Sequence, residues 1–275
     1  MKKILILGEN SYIGNAFETY AKKFPEKYIL TTLSLRGDDW TNYDMSDYDV
    51  AFNVTGIAHA DVEKVTEEQK KLYYQVNTEL AINVAEKYKS DRNGKISQYI
   101  YMSSIIVYGD NYSVRHKKII TDQTAPEPAN FYGDSKLQAE KGLSYLRDDN
   151  FLVVVLRPPM IYGGNPRGNY RLLQKITHVS PIFPKFINQR SVLSIENLCT
   201  FIGSKIDYND NGLFFPQDKH YACTSDMVKS IANEENEKIY LIKGFNWLIY
   251  LASFLPGKIG KMVNKAFGTL VYQVK

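Results

Sequence analysis

The stretch that decides the fold is Ile4-Leu5-Ile6-Leu7-Gly8-Glu9-Asn10-Ser11-Tyr12-Ile13-Gly14, near the start of a chain of 275 residues. Its first four residues form a continuous apolar run, which predicts a strand covered on both faces. A turn framed by Gly8 and Gly14 follows, and helical spacing then extends over residues 14–23. A strand, a glycine turn and a helix in this order predict the first unit of a parallel sheet.

The same alternation of short apolar runs and longer helical segments continues to about residue 160. Further strands are predicted at 28–35, 49–54, 98–102 and 151–156. Helices are predicted at 66–89 and 132–147. This rhythm predicts an α/β fold, a doubly wound parallel sheet formed by residues 1–160.

After Arg157-Pro158-Pro159 the chain becomes rich in Gly, Pro and Asn. Residues 161–275 are predicted to form a small C-terminal substrate-binding lobe, interleaved with the first domain. Short helices are predicted at about 169–178, 195–206 and 224–234. The last stretch, 239–275, is apolar and basic. It predicts a helix packed on the lobe, and contact with a membrane surface or a partner is the alternative.

Bulk composition excludes several classes of protein. The net charge of +4 is mild, so no nucleic-acid partner is expected. Cys199 and Cys223 fit neither a disulfide framework nor a metal site, and the four histidines are scattered, so no metal is expected. No run of eighteen apolar residues occurs, so no transmembrane segment is expected either. These features favour a reducing, cytoplasmic location.

The glycine turn predicts a site for the pyrophosphate of a dinucleotide at the helix N-terminus. The residues assigned to it are Gly8, Asn10, Ser11, Tyr12, Ile13 and Gly14. Ser11 stands where a GxxGxxG pattern has its middle glycine. A purely structural turn is therefore the alternative.

The end of the second predicted strand, Leu33-Ser34-Leu35-Arg36, lacks the acidic residue that usually binds the ribose hydroxyls of NAD. Ser34 and Arg36 are predicted to hold a 2′-phosphate instead, which favours NADP over NAD. The alternative is a surface arginine, with NAD held through backbone contacts. Asp39 and Trp40 follow and are predicted to border the adenine, with an exposed turn as the alternative.

Tyr132-Gly133-Asp134-Ser135-Lys136 places a phenol and an ammonium group on one face of a helix. A tyrosine, whose pKa is ordinarily about 10, becomes an effective base near pH 7 only when a nearby cation stabilises its phenolate. Lys136 is predicted to supply that charge. Ser104, at the carboxyl end of a predicted strand, is predicted to bind the same substrate oxygen. Ser103 points the other way along a strand and is predicted to be structural.

Together these motifs resemble the extended short-chain dehydrogenase/reductase superfamily, and within it the nucleotide-sugar epimerase/dehydratase group that includes UDP-galactose 4-epimerases. The resemblance covers about residues 1–235 and implies a Rossmann domain. Matching cofactor positions are Gly8, Ser11, Gly14, Asn77 and the segment Val54-Thr55-Gly56, which follows the family's fourth strand. Ser104, Tyr132 and Lys136 match its catalytic triad.

Two later segments also match the family. Residues 157–163 resemble the strand that frames the nicotinamide, which implies that Pro159 contacts the cofactor. Residues 190–198 resemble the stretch whose arginine contacts the nucleotide diphosphate, which implies that Arg190 binds substrate. Asn169, at the start of a predicted helix, is predicted to bind substrate as well. Ser191 stands where family members often carry Asp. Relatives usually continue beyond the point where this chain ends, and whether the lobe forms a complete substrate pocket is left open.

The resemblance implies an NAD(P)-dependent nucleotide-sugar epimerase or 4-keto-sugar reductase. It would move a proton and a hydride at C4 of a UDP- or dTDP-linked sugar in surface polysaccharide biosynthesis. A 4,6-dehydratase is disfavoured because Ile105 and Ile106 stand where such relatives carry Asp or Glu. The alternative from another class is a non-catalytic NAD(P)-binding sensor or scaffold. Whether the last helix pairs two chains into a homodimer is left open.

Overall fold

The computed structural model describes residues 1–58, 65–110, 112–164 and 169–273, and describes Asn169 by its backbone alone. The α-helices are α1 Tyr12–Ala21, α2 Glu67–Tyr74, α3 Leu80–Arg92, α4 Phe131–Leu146, α5 Asn169–Val179, α6 Ile195–Asp207, α7 Thr224–Glu234, α8 Asn246–Ala252 and α9 Lys258–Phe267. The strands are β1 Lys2–Leu7, β2 Tyr28–Leu33, β3 Val50–Asn53, β4 Ser97–Met102, β5 Lys118–Ile120, β6 Phe151–Leu156, β7 Met160–Tyr162, β8 Ile182–Pro184, β9 Val192–Ser194, β10 Gly212–Phe214, β11 Tyr240–Ile242 and β12 Leu270–Tyr272. Short 3₁₀ turns occupy Asp39–Asn42, Ile105–Tyr108 and Lys243–Phe245, and a π-helical turn occupies Gln75–Glu79.

The central sheet of the described chain has six parallel strands in the order β10-β6-β4-β3-β1-β2. The predicted α/β fold with a doubly wound parallel sheet is therefore confirmed. The strand order reverses beside β1, whose Leu7 pairs with Leu33 of β2 on one side and with Asn53 of β3 on the other. Ligands of such sheets bind outside the carboxyl ends of the strands at this reversal.

The sheet is buried because helices cover both of its faces. β4 is buried along its whole length, including two tyrosines whose hydroxyl groups need partners away from water. Tyr99 donates to the carbonyl of Ala81 and Tyr101 to the carbonyl of Asn77, each at 2.9 Å. These bonds attach the central strand to the helical layer that carries Asn77.

The chain divides into two compact units. The first contains residues 1–109, 126–158 and 194–216, and the second contains 110–125, 159–193 and 217–275. The first unit therefore includes α6 and β10, which lie beyond the predicted boundary near residue 160. The amide of Gln98 in β4 explains this placement, because it donates to the carbonyls of Lys205 and Asp210 at 2.9 and 2.8 Å.

The helix predicted over 66–89 is interrupted by the π-helical turn. Its Asn77 is fully buried, and the side chain bonds to backbone and side-chain groups outside the helix. π turns inside α-helices are frequent at functional sites. A 3.6-residue pattern predicts both flanking helices but cannot reveal the extra residue in this turn.

The second unit has its own core, formed by Phe183, Phe186, Val228, Ile249 and Phe267. The single helix predicted within 239–275 is wrong in detail, because the chain forms α8 and α9 with Pro256-Gly257 between them. Proline lacks the N–H that a continuing helix needs. Within the described residues, none of the helices is long and apolar enough to cross a bilayer.

A buried ion pair fixes the helix α4 against two strand ends of the first unit. Glu140 accepts hydrogen bonds from the hydroxyl of Ser103, just after β4, and from the guanidinium of Arg157, just after β6. Arg157 also donates to the hydroxyl of Tyr108 at 2.6 Å. A buried carboxylate is tolerated only with such partners. Ser103 is structural, as the sequence analysis expects.

We expect Arg157→Met to lower the free energy of unfolding by about 3–5 kcal/mol, because it leaves the Glu140 carboxylate buried without its counter-ion. The double variant Glu140→Leu/Arg157→Met should recover much of that loss. Urea unfolding measures both values. Lys70→Met, which breaks an exposed pair with Glu67, is the control and should cost far less. A loss below about 1 kcal/mol for Arg157→Met would contradict the assignment.

Candidate active site

The turn after β1 brings two strand ends into close contact. Gly8 has a φ of +125°, and a Cβ at this position would lie 2.7 Å from Oγ1 of Thr55. Thr55 in turn donates to the carbonyl of Leu7 at 2.9 Å. Glycine is therefore required at position 8 by both backbone conformation and space. Asn10 completes the turn in the left-handed region with a φ of 55°.

Ser11 explains why the glycine pattern is incomplete in this chain. Its φ of −82° suits any residue, and its Oγ accepts a hydrogen bond from the N–H of Gly14 at 3.0 Å. Serine is thus the N-cap of α1, which begins at Tyr12 and continues through Ile13. The turn presents the positive end of a helix beside the strand reversal, which is a donor arrangement suited to a phosphate.

The end of β2 carries the residues predicted to recognise a ribose. Ser34 is half-buried and accepts a hydrogen bond from the N–H of Arg36 at 3.4 Å, and the Arg36 side chain is exposed. Asp39 is exposed as well. Trp40, however, is buried in the core with Leu35, so the exposed-turn alternative is wrong for this residue. The residues next to Trp40 in the sequence are polar, so the sequence alone does not reveal that its ring packs in the core.

The segment Val54-Thr55-Gly56 follows β3, the third strand of this chain rather than the fourth that the resemblance implies. Asn77 holds the backbone beyond it from the side. Its Oδ1 accepts from the N–H of Ile57 at 2.8 Å, and its Nδ2 donates to the carbonyl of the same residue at 3.0 Å and to Ser135 Oγ at 3.1 Å. Asn77 thereby positions the loop beside the glycine turn.

Ser104 and Tyr132 meet at the carboxyl edge of the sheet. Ser104 caps the 3₁₀ turn after β4, and its Oγ accepts from the N–H of Ile106 at 3.3 Å. Tyr132 lies in the first turn of α4, which Asn130 caps by accepting from the N–H of Gly133 at 3.0 Å. The Ser104 side chain lies close enough to the Tyr132 phenol to act on its pKa as a hydrogen-bonding neighbour. The structure therefore brings together the two residues predicted to share one substrate oxygen.

Lys136 lies one turn further along α4 and is buried. Its Nζ donates to the carbonyl of Met102 at 2.9 Å and lies 4.8 Å from the ring centre of Tyr101. A Cβ added at Gly56 would lie 3.0 Å from this Nζ. The ammonium group thus lies between the end of β4, which leads to Ser104, and the loop that Asn77 holds.

The pKa of Tyr132 is raised, whereas stabilisation of its phenolate by Lys136 would lower it. Burial raises the pKa of Tyr132 to about 12, and the hydrogen bond with Ser104 acts in the opposite direction. Burial lowers the pKa of Lys136 to about 8, against the attraction of Glu140. The predicted lowering of the tyrosine pKa is therefore absent from the protein by itself, because desolvation of the phenolate dominates.

Asn169 and Arg190, which are also predicted to bind substrate, lie in the second unit together with Pro159, which is buried. Asn169 begins α5, and its side chain lies outside the described residues. The guanidinium of Arg190 donates to the carbonyl of Lys265 at 2.9 Å and lies 4.9 Å from the ring centre of Tyr112. The role of Arg190 toward a diphosphate stays a prediction.

Glu140 is the site residue that the sequence analysis missed. It follows Tyr132 and Lys136 at intervals of four residues, so all three share one face of α4. The position of this carboxylate, four residues after Lys136, could have indicated a role at the site from the sequence. Only its burial in the structure shows that it anchors the helix. In the described ranges, no group of three or more His, Cys, Asp or Glu side chains could hold a metal ion.

A parallel sheet with a capped glycine turn at its strand reversal, and with a serine, a tyrosine and a lysine at the adjacent strand end, defines the class of extended short-chain dehydrogenases/reductases. Comparison with known families agrees with this class. The model of the NAD dependent epimerase/dehydratase family matches residues 4–190, and the chain belongs to that family.

Individual relatives include epimerases and reductases. The chain is 28% identical over 291 residues to a UDP-glucose 4-epimerase from Vibrio cholerae, covering 98% of this chain and 86% of that protein. Among solved structures, a dTDP-4-dehydrorhamnose reductase from Clostridium acetobutylicum has a TM-score of 0.70 at 18% identity, covering 96% of this chain and 98% of the other. A UDP-glucuronic acid 4-epimerase from Bacillus cereus, in complex with NAD, has a TM-score of 0.69 at 17% identity, covering 96% and 95%. These two structural similarities show the fold alone.

The lowered pKa of Lys136 predicts a measurable pH dependence of stability. Because the folded protein binds this proton less tightly than the unfolded chain, the contribution of Lys136 to the unfolding free energy should rise between about pH 8 and pH 10.5. The difference between wild type and Lys136→Met should therefore change by up to about 3 kcal/mol over that window, with wild type gaining. Urea unfolding at a series of pH values measures it, and a difference independent of pH would contradict the assignment.

Proposed function

We propose that this protein catalyses NAD(P)-dependent oxidation and reduction at C4 of a UDP- or dTDP-linked sugar. The leading candidate for the reaction is 4-epimerisation. The observation that carries the proposal is the placement of Ser104 beside the phenol of Tyr132, with Lys136 one turn further along the same helix face. The likeness to a UDP-glucose 4-epimerase over 98% of the chain supports the choice of reaction.

Each polar group of the site has a role in this chemistry. Tyr132 transfers a proton to or from the oxygen on C4, and Ser104 orients the same oxygen by a hydrogen bond. Lys136, whose pKa is about 8, is positively charged at pH 7 and favours the phenolate form of Tyr132. When bound, the nicotinamide supplies the acceptor and donor of hydride.

The residues of the first unit fit a dinucleotide. The capped N-terminus of α1, with Gly8, Asn10 and Ser11 before it, suits the pyrophosphate. Lys136 uses one donor on Met102, and an ammonium group carries two more, which suits the ribose hydroxyls next to the nicotinamide. Pro159 would border the nicotinamide, as the family resemblance implies.

A specific observation favours a second candidate, the reduction of a 4-keto sugar. Arg36 is exposed at the end of β2, where an acidic residue would select NAD, and its planar guanidinium suits the 2′-phosphate of NADP. Net reduction consumes NADPH, whereas epimerisation returns its hydride to the same carbon. The solved dTDP-4-dehydrorhamnose reductases, one of them in complex with NADP, share the fold.

The remaining parts of the proposal rest on the family resemblance. Arg190 and Asn169 would bind the nucleotide diphosphate and the sugar. The product would enter surface polysaccharide biosynthesis in the cytoplasm. The opposing hypothesis, a non-catalytic NAD(P)-binding sensor or scaffold, predicts no turnover with any sugar.

Two assays on the purified protein separate the candidates. Incubation with UDP-glucose or UDP-galactose, with and without added NAD, tests for interconversion. Incubation with 4-keto forms of UDP- and dTDP-linked sugars tests for consumption of NADPH or NADH. Interconversion supports the epimerase, NADPH consumption supports the reductase, and neither activity supports the scaffold.

Replacing Tyr132 with Phe should lower kcat by about 10²–10⁴-fold, because the proton donor of the reaction is lost while the ring is kept. Cofactor binding, followed by fluorescence titration, should change little. Tyr145→Phe on the exposed side of the same helix is the matched control and should retain full activity. Unchanged turnover in Tyr132→Phe would defeat the proposal.

Replacing Arg36 with Ala should raise the Kd for NADPH about tenfold or more and leave the Kd for NADH within about threefold. The reason is that a charge-assisted bond to the 2′-phosphate is lost and no NADH contact depends on it. Isothermal titration measures both constants. Equal losses for the two cofactors would remove the argument for NADP.

A further inference from the structure

The end of the second unit carries an apolar surface that its own fold leaves uncovered. We name it the C-terminal apolar surface, and among the described residues it consists of the exposed side chains of Phe245, Trp247, Leu248, Tyr250, Leu251, Phe254, Leu255, Ile259 and Met262. Trp247, Leu251 and Met262 are 61%, 58% and 66% exposed. Scattered apolar residues on a surface need no explanation, but a concentration of nine within one helical hairpin and its flanking turn points to a site of interaction.

This surface belongs to a folded element rather than to an unstructured tail. Ile249 anchors α8 in the core of the second unit. Asn264 of α9 donates to the carbonyls of Ser253 and Gly260, both at 2.9 Å. A Cβ at Gly260 would collide with the carbonyl of Leu255, so the connector between the two helices packs directly against the backbone of α9. The exposed side chains are therefore held on a fixed helical hairpin.

The segment that carries the surface is basic. Residues 239–275 contain five lysines and no aspartate or glutamate. Lys243 precedes α8, and Lys265 follows Met262 by three residues on α9, so both exposed ammonium groups border the apolar side chains. Aromatic and aliphatic residues flanked by lysines, on short helices, are the composition of segments that lie at a lipid–water interface.

We propose that the C-terminal apolar surface binds peripherally to a membrane that contains anionic lipids, with α8 and α9 lying at the interface. The lysines are complementary to the negative lipid headgroups, and the apolar side chains enter the boundary of the acyl chains. A second copy of the chain suits this surface less well, because pairing the same patch on two chains brings lysines against lysines. The proposal is independent of the catalytic assignment.

Co-sedimentation with lipid vesicles tests the proposal on the full-length protein. Vesicles of phosphatidylcholine with about 30% phosphatidylglycerol should bind the protein about tenfold or more tightly than vesicles of phosphatidylcholine alone. Binding should weaken when sodium chloride is raised from about 0.05 M to about 0.5 M, because salt screens the lysines. Equal binding to both kinds of vesicle, or binding to neither, would overturn the proposal.

Variants test whether vesicle binding depends on the C-terminal apolar surface or is nonspecific. Trp247→Ser/Leu251→Ser/Met262→Ser should abolish vesicle binding, and Lys243→Gln/Lys265→Gln should weaken it about tenfold. The matched control is Ile96→Ser/Tyr145→Ser/Tyr208→Ser, which replaces three exposed apolar or aromatic residues of the first unit and should bind like wild type. Circular dichroism and thermal melting report whether each variant folds. An apolar variant that folds and still binds would overturn the proposal.

Light scattering without vesicles tests whether the C-terminal apolar surface instead binds a second copy of this chain. We expect the oligomeric state of wild type and of the Trp247→Ser/Leu251→Ser/Met262→Ser variant to be the same. A wild-type dimer that this variant converts to a monomer would overturn the lipid proposal and assign the surface to a contact between two chains.

Discussion

The buried carboxylate of Glu140 is the constraint on which the geometry of the site depends. It accepts hydrogen bonds from Ser103 and Arg157, and so joins α4 to the ends of β4 and β6. A charge so deeply buried must keep its partners, which leaves α4 little freedom to slide or rotate. Tyr132 and Lys136, on the same face of that helix, are thereby held at the carboxyl edge of the sheet.

The site's electrostatics follow from the same burial. Desolvation raises the pKa of Tyr132 and lowers the pKa of Lys136, so burial shifts the equilibrium of each side chain toward its neutral form, although Lys136 stays mainly protonated at pH 7. Glu140 and Ser104 act against these shifts. A phenol that holds its proton is a suitable acid for a developing alkoxide, and an oxidised nicotinamide would add the positive charge that the reverse reaction needs.

Periodicity and turn chemistry predicted the strands β1 to β4, the strand β6 and the serine, tyrosine and lysine that meet at the sheet edge, because these features are local in sequence. Trp40, the π-helical turn at Asn77 and the partners of Glu140 depend on contacts between distant segments, and no local pattern encodes them. For the same reason, the sequence pattern did not predict that α6 and β10 belong to the first unit. The amphipathic pattern of α6 indicates that the helix packs against another element, and the hydrogen bond from Gln98 to the carbonyl of Lys205 identifies that element as β4.

The central claim is that the hydrogen on C4 of the sugar moves as a hydride beside Tyr132. A nucleotide-sugar substrate that carries deuterium at C4 tests this most directly, with NAD and NADP supplied in separate reactions and products analysed by mass spectrometry. The account predicts slower turnover than with the unlabelled sugar, and deuterium recovered on C4 of the product or on the cofactor. Deuterium released into water, with no slowing of turnover, would contradict it.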